Sequence, residues 1–327
     1  MSDTFNPAIP TTSNDGKSTG RFGYRTPAEE VVTELGIDLS DRVAIITGAS
    51  SGLGQETARV LALKGARIIL AIRNLEAGQK VAQEIQQSTG NTKIEAMLVD
   101  LTSLKSIKEF ADTFLAKKLP LNLLVNNAGV MANPTRETTA DGFEMQFGTN
   151  HLGHFYLTQL LTPALVAAAP SRVVAVSSLG HTFSPVVFDD INWEKSYDRW
   201  LAYGHSKTAN ALFALELNKR LSPKGVIAVS LHPGGAATNL SRHIPRDYAI
   251  SQGWMNEDGT MNSVFKTVEQ CSSTTVYCAI APEVLEHGGA YFEDCNLGVP
   301  APHASDPQAA AKLWEVSEKL ISNALKQ

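Results

Sequence analysis

"VAIITGASSGLGQETARVLALKG", residues 43–65, joins a strand, a turn and a helix in one continuous run. The apolar, partly β-branched stretch Val43–Thr47 stops at Gly48, and Leu53, Thr57, Val60, Leu61 and the stem of Lys64 then recur at helical spacing until Gly65. Gly48, Gly52 and Gly54 fall at the turn, where the missing side chains permit a tight bend and a close approach of the backbone to an anionic group. The helix that follows opens with N–H groups that have no intrahelical partner, which suits the oxygens of a diphosphate. A glycine-rich turn by itself is a weak signal. One with a strand before it and a helix after it is a strong one.

Working outward, short apolar runs alternate with helical ones: "RIILAI", "IEAMLVD", "LNLLVN", "RVVAVSS", "IAVSLH" and "AYFEDC" read as further strands. Helices are expected to begin near Gly52, Leu75, Ser103, Asp141, Asp198 and Met261, with a short one in "PAEEVVTELG" ahead of the first strand and a last one over 305–324. Near-continuous apolar strands separated by helices give an α/β fold, a mostly parallel sheet of seven strands covered on both faces. One domain, residues 26–327 with its core over 41–302, is expected, since no linker-like stretch or repeat interrupts it.

The chain has 327 residues, 43% hydrophobic and 19% charged, with 28 basic and 33 acidic side chains spread without blocks. That balance describes a globular protein and leaves no basic footprint for nucleic acid. No run is apolar enough to span a membrane, so any membrane contact would be peripheral. Three cysteines, Cys271, Cys278 and Cys295, suit a reduced, cytoplasmic protein, and the spacing of Cys271 and Cys278 on one helix favours core filling. Residues 1–25 are polar and rich in Pro, Gly, Ser and Thr, and read as a flexible arm. His151, His154, His181, His205 and His232 have no carboxylates at ligand spacing, so no metal site is expected.

In an open parallel sheet, ligands lie beyond the carboxyl ends of the strands, so the polar residues there are the candidates for function. The second strand ends in Ile72 and Arg73, where a carboxylate would grip a ribose 2′-hydroxyl; an arginine pairs instead with a 2′-phosphate. Asp100 closes the third strand and could accept a hydrogen bond from an adenine amino group. NADP(H) is therefore favoured over NAD(H). Tyr203 and Lys207, four apart in "LAYGHSKTANALFALEL", share a helical face, an arrangement equally common on plain helix surfaces.

Taken together and in order, "TGASSGLG", "NNAG" at 126–129, Asn150, Ser178, the Tyr203/Lys207 pair and "PGGAAT" from Pro233 resemble the short-chain dehydrogenase/reductase family. "TPAEEVVTELGIDLSDR", "FGTNHLGHFYLTQLL" and the long interval between Ser178 and Tyr203 narrow the likeness to the retinol dehydrogenase and WW-domain-containing oxidoreductase branch, without WW domains. This resemblance implies a Rossmann-type doubly wound fold and hydride transfer between a nicotinamide and a small-molecule carbonyl or alcohol. Tyr203 would be the acid/base, Lys207 its partner, Ser178 rather than Ser177 the active serine, and Asn150 the fourth member, bending its helix beside Lys207. Cofactor contacts would come from Gly48, Ser50, Ser51, Gly52, Leu53 and Gly54, from Arg73, Asp100 and Leu101, from Asn127, Ala128 and Gly129, and from Tyr203, Lys207, Pro233, Gly234 and Thr238. An ammonium one turn from Tyr203 is expected to lower the pKa of its phenol.

Residues 236–265 mix Ile244, Tyr248, Ile250 and Trp254 with polar side chains and form the expected substrate lid, with an apolar lining suited to a lipophilic substrate. The aromatics Phe183, Phe188, Trp193, Tyr197 and Trp200 either line the entrance or anchor a loose segment. The resemblance also implies a homodimer or homotetramer, paired through the helices beginning near Asp141 and Asp198. A catalytically silent nucleotide-binding scaffold of the same fold is the alternative, but Ser178, Tyr203 and Lys207 are all retained.

Overall fold

The computed structural model describes residues 20–326. Eight strands form one sheet: β1 Val43–Thr47, β2 Arg67–Ile72, β3 Ile94–Leu98, β4 Leu123–Asn126, β5 Ser171–Val176, β6 Val226–His232, β7 Tyr291–Glu293 and β8 Asn296–Leu297. Their spatial order is β3-β2-β1-β4-β5-β6-β7-β8, parallel throughout except for the antiparallel β7–β8 pair. Chain order reverses between β1 and β4, which opens a crevice at the carboxyl edge where β1, β4 and β5 end. The eighth strand was not expected. It exists because Asp294 and Cys295 both take left-handed backbone conformations (φ +51° and +60°) and turn the chain back on itself.

β1 is buried along its whole length, as a strand covered on both faces must be. On one face lie α1 Ala28–Leu35, α2 Gly52–Leu63, α3 Leu75–Thr89 and α9 Val268–Ile280, packed through residues such as Val31, Val60, Val81 and Val276. On the other lie α4 Leu104–Ala116, α6 Gly153–Ala167, α7 Arg199–Leu221 and α10 Pro307–Ala324, with Phe110, Phe155, Phe213 and Trp314 at their centre. Cys271 and Cys278 fill α9 on its buried side, both fully enclosed. The short helices α5 Met145–Phe147 and α8 Arg246–Ser251 complete the set.

Two helix starts differ from expectation, each because a capping side chain lies elsewhere. Asp141 accepts the Leu104 N–H (2.8 Å) and so supports the start of α4 beside its cap Ser103, whereas the expected helix begins after Glu144, whose carboxylate accepts from the N–H groups of Gln146 and Phe147. The helix expected from Met261 starts at Val268, where Thr267 and Gln270 form a reciprocal capping box.

The described part of the expected arm is not loose. Phe22 is buried against Tyr277, Arg21 pairs with Glu34, and Arg25 donates to the carbonyls of Ser263 and Phe265. One buried aromatic ring and several backbone-directed hydrogen bonds offset the entropy of ordering this segment. Residues 1–19 lie outside the described residues. Among the described residues, no helix is long and apolar enough to cross a membrane.

Candidate active site

The glycine turn between β1 and α2 is shaped by what stands against it. A Cβ at Gly48 (φ +66°) would lie 2.8 Å from Ala128 Cα, and one at Gly54 would lie 2.6 Å from both the Gly48 carbonyl and Asn127 Nδ2. The turn is thus pressed directly onto the loop after β4. Asn127 donates its N–H to Thr47 Oγ1 (2.9 Å) and its amide to Thr47 O (2.8 Å), and Ala128 donates to Thr47 Oγ1 (3.0 Å). Ser51 makes no side-chain cap to α2, so the first-turn N–H groups and the half-exposed Ser51, Gly52 and Leu53 front the crevice, with Ser50 outermost. A cradle that tolerates no Cβ, at an uncapped helix N-terminus, fits a dinucleotide diphosphate.

Arg73 is exposed at the end of β2, followed by Asn74, which caps α3. Ile72 is buried beneath Gly78 of α3, so no carboxylate occupies the ribose position. Asp100 accepts from the Thr102 N–H (2.9 Å) and hydroxyl (2.8 Å), fixing the turn that carries the buried Leu101.

Ser177 and Ser178 separate as strand alternation requires. Ser177 is buried and donates to Lys207 O (2.7 Å), stapling β5 to α7. Ser178 is part-exposed at the crevice, and its hydroxyl accepts the Gly180 N–H (3.0 Å) at the start of the 3-10 turn Leu179–Thr182. That turn is backed against α7: a Cβ at Gly180 would lie 2.6 Å from Tyr203 Cε1, and one at Gly204 would lie 2.8 Å from the Gly180 carbonyl.

Tyr203 and Lys207 are both buried, and the Lys207 ammonium lies 5.7 Å from the centre of the Tyr203 ring and donates to Val176 O (3.1 Å). Gly129 leaves the room it needs, since a Cβ there would stand 3.6 Å from Lys207 Nζ and 3.2 Å from Asn150 Oδ1. The expected lowering of the phenol pKa by Lys207 is corrected. Burial pushes Tyr203 up to about 12, opposed by the Ser178 hydroxyl, and burial also pulls Lys207 down to about 8. Burial dominates both shifts, and at neutral pH the Tyr203 phenol keeps its proton.

Asn150 lies in a π-helical turn, Gly148–Leu152, between α5 and α6. Its amide exchanges hydrogen bonds with Val130 (2.8 and 2.9 Å) and donates to Ser206 Oγ (2.9 Å), which in turn donates to Tyr203 O (2.8 Å). Asn150 therefore locks the loop after β4 to the turn of α7 that carries Tyr203 and Lys207.

His154 is the residue that sequence reasoning passed over. Its Nδ1 donates to Asn150 O (2.9 Å), which fixes the tautomer and leaves Nε2 to accept from the Thr47 hydroxyl (2.8 Å). Burial brings its pKa down to about 4, so it stays neutral. The only sequence signal was its position one helical turn after Asn150.

On the far side, Pro233–Thr238 leaves β6 and runs beside the glycine turn: Thr238 would touch a Cβ at Gly52 (3.4 Å), and Asn239 donates to Ser51 Oγ (3.4 Å). Gly234 is left-handed there (φ +100°). The segment expected to form the lid follows, and in it Tyr248 and Trp254 pack on Trp200 at ring separations of 6.1 and 5.6 Å. The structure thus gathers the glycine turn, Asn127–Gly129, Ser178, Tyr203, Lys207 and Pro233–Thr238 around one crevice, with Asn150 behind them.

A family profile described as short chain dehydrogenase matches residues 42–249. The chain belongs to the short-chain dehydrogenase family. Retinol dehydrogenase 11 of Mus musculus is 44% identical over 286 residues, 87% of this chain and 88% of the relative. The WW domain-containing oxidoreductase of Danio rerio is 42% identical over 313 residues, 92% of this chain and 73% of the relative. Among solved structures, an uncharacterized protein from Mycobacterium paratuberculosis superposes with a TM-score of 0.67 at 35% identity, covering 86% of this chain and 94% of that one. The Pseudomonas aeruginosa RhlG/NADP active-site complex shares the fold, with a TM-score of 0.62 at 23% identity over 82% of this chain and 96% of that one. The α/β sheet and the retinol dehydrogenase-like character expected of this family member thus hold, and the chain is an oxidoreductase of the short-chain dehydrogenase type.

Proposed function

We propose that this dehydrogenase uses NADP(H) to interconvert a lipophilic aldehyde or ketone and its alcohol, with Tyr203 as the acid/base. The observation that carries the reading is the convergence of Ser178, Tyr203 and Lys207 beside a glycine cradle: the Ser178 hydroxyl meets the Tyr203 phenol, and Lys207, fixed by Val176 O, lies 5.7 Å from the centre of the Tyr203 ring. When bound, the dinucleotide would supply or accept the hydride at nicotinamide C4. The chain's own residues do the rest. Gly48–Gly54 and the N-terminus of α2 hold the diphosphate, Arg73 meets the 2′-phosphate, and Lys207 donates to the nicotinamide ribose. In the reducing direction, negative charge grows on the carbonyl oxygen; Ser178 donates a hydrogen bond to it and Tyr203 delivers the proton.

Similarity to retinol dehydrogenases, and a lid faced with Trp200, Tyr248 and Trp254, support a long apolar substrate such as a retinoid. On this reading the enzyme acts in the cytoplasm, and the protonated phenol of Tyr203 is the form that the reducing direction requires. The test is absorbance of NADPH or NADH with a panel of lipophilic aldehydes and ketones. Oxidation of NADPH is expected, with NADH much poorer; Arg73→Ala should weaken NADPH binding and leave NADH binding nearly unchanged. Tighter binding of NADH by the wild-type chain would overturn the cofactor assignment.

A further inference from the structure

Beneath the Pro233–Thr238 loop lies a buried ion pair with no part in the chemistry above. Lys266 and Asp294 are both almost wholly enclosed, and Lys266 Nζ donates to Asp294 Oδ1. The ammonium also lies 4.4 Å from the centre of the Tyr24 ring, an arrangement that favours a cation over an aromatic face. Burying two charges is costly, and such a pair contributes little net stability compared with apolar packing. Its placement therefore asks for another reason.

The Lys266 stem supplies one. A Cβ at Gly234 would lie 2.7 Å from Lys266 Cδ, so the lysine stem fills the space under the left-handed Gly234. The Lys266 N–H donates to Gly235 O (2.8 Å), and the Phe265 ring backs Gly235 at 3.0 Å from where its Cβ would stand. Lys266 thus grips the loop at the nicotinamide end by backbone and stem, while its charge is anchored on Asp294 and the Tyr24 ring. It is also the first residue after the expected lid, 236–265. The lid's exit is in turn fastened from outside: Tyr24 donates to Val264 O, Arg25 to the carbonyls of Ser263 and Phe265 and to Gln270 Oε1 (3.3 Å), and Gln270 returns a bond to Arg25 O (3.0 Å). The β7–β8 turn closes the assembly, with Asn296 donating to Phe22 O (3.1 Å).

We propose that Lys266 is a positioning residue for the nicotinamide end of the site: anchored by Asp294 and the Tyr24 ring, it holds Gly234 and Gly235 in place and makes the cofactor loop and the lid's exit one rigid piece. The inference rests on the proposed NADP(H) reading and deepens it. The adenosine half of the cofactor would be held elsewhere, by Arg73 and the glycine turn, so the two halves of the site should respond differently.

The experiment measures binding of NADPH and of adenosine 2′,5′-bisphosphate, which lacks the nicotinamide half, to the wild type and to Lys266→Met/Asp294→Asn. The double replacement removes both charges together and leaves no unpaired buried ion. The expected result is NADPH binding weakened ~10-fold and kcat reduced by a similar factor, with the bisphosphate bound as in the wild type. Tyr24→Leu, which removes both the aromatic face under the ammonium and the bond to Val264 O, should give the same pattern more weakly and serves if the double variant does not fold. Equal loss for both ligands would mark a general structural role and overturn the proposal, as would no change in either. A wild-type chain that binds neither NADPH nor NADH would overturn the underlying cofactor reading, a failure visible before any variant is made.

Discussion

Apart from the Ser178 hydroxyl at its phenol, the groups around Tyr203 hold its neighbours. Lys207 is fixed by Val176 O, Ser177 holds the Lys207 carbonyl, and the Asn150–Ser206 chain ends on the Tyr203 carbonyl, so the backbone of that turn is braced while the phenol is left to the crevice. Tyr203→Phe should therefore keep the fold and NADPH affinity but lower turnover by ~10²-fold or more, since only the proton donor is lost. Wild-type turnover in this variant would show that Tyr203 is not the proton donor and that the buried pair serves packing alone. The same variant isolates Lys207. Burial brings its pKa to about 8, so below that pH the ammonium is present and above it the charge is lost. NADPH affinity of Tyr203→Phe should hold steady from pH 6 to about pH 8 and then fall, because the ribose loses its charged donor. Isothermal titration across that range checks it, and a flat profile to pH 9 would count against the assignment.

Close packing between elements, more than hydrogen bonding, aims the phenol. The 3-10 turn Leu179–Thr182 and α7 meet at two glycines, Gly180 against the Tyr203 ring and Gly204 against the Gly180 carbonyl. Gly180→Ala would drive a methyl into the ring edge, a contact that must be relieved by moving Tyr203 or the turn, at a cost of about 1–3 kcal/mol. Turnover should fall by ~10-fold or more with NADPH binding preserved, since the reacting oxygen moves while the glycine cradle does not. Thermal melting and steady-state kinetics together check this, and unaltered kcat would show that the phenol's position is set elsewhere. These contacts also mark where the sequence was readable and where it was not. β1, the glycine turn and α2 follow from local pattern, because strand alternation, glycine and helical spacing act over a few residues. Asp141 supporting the start of α4, and His154 meeting Thr47, join residues 37 and 107 positions apart, and such pairings arise only once the sheet brings distant segments together. Parity along the strand lets only one of Ser177 and Ser178 face the crevice and the family resemblance picks Ser178, whereas the desolvation of Tyr203 depends on burial that no local motif encodes.

Over the whole molecule, α10 alters what the family resemblance implied about assembly. It lies across α6 and α7: Trp314 packs edge-on to Phe155 (4.7 Å) and stacks with Phe213 (6.1 Å), Arg220 sits 4.5 Å over Trp314, and His151 Nε2 meets Ser317 Oγ (2.8 Å). Gln159 of α6 also donates to Glu318 (3.1 Å). α10 thus covers the C-terminal half of α7 and the Phe155 side of α6, part of the surface through which two copies were expected to pair. An intermolecular four-helix contact there would first have to displace Trp314, whose burial alone contributes about 3 kcal/mol or more. Sedimentation at micromolar concentration should accordingly give a single species near 35.2 kDa. Trp314→Ala should loosen α10, lower the melting temperature and expose the Phe155/Phe213 face, so that association appears in the variant and not in the wild type. A wild-type dimer that survives dilution would show instead that α10 leaves a pairing surface open.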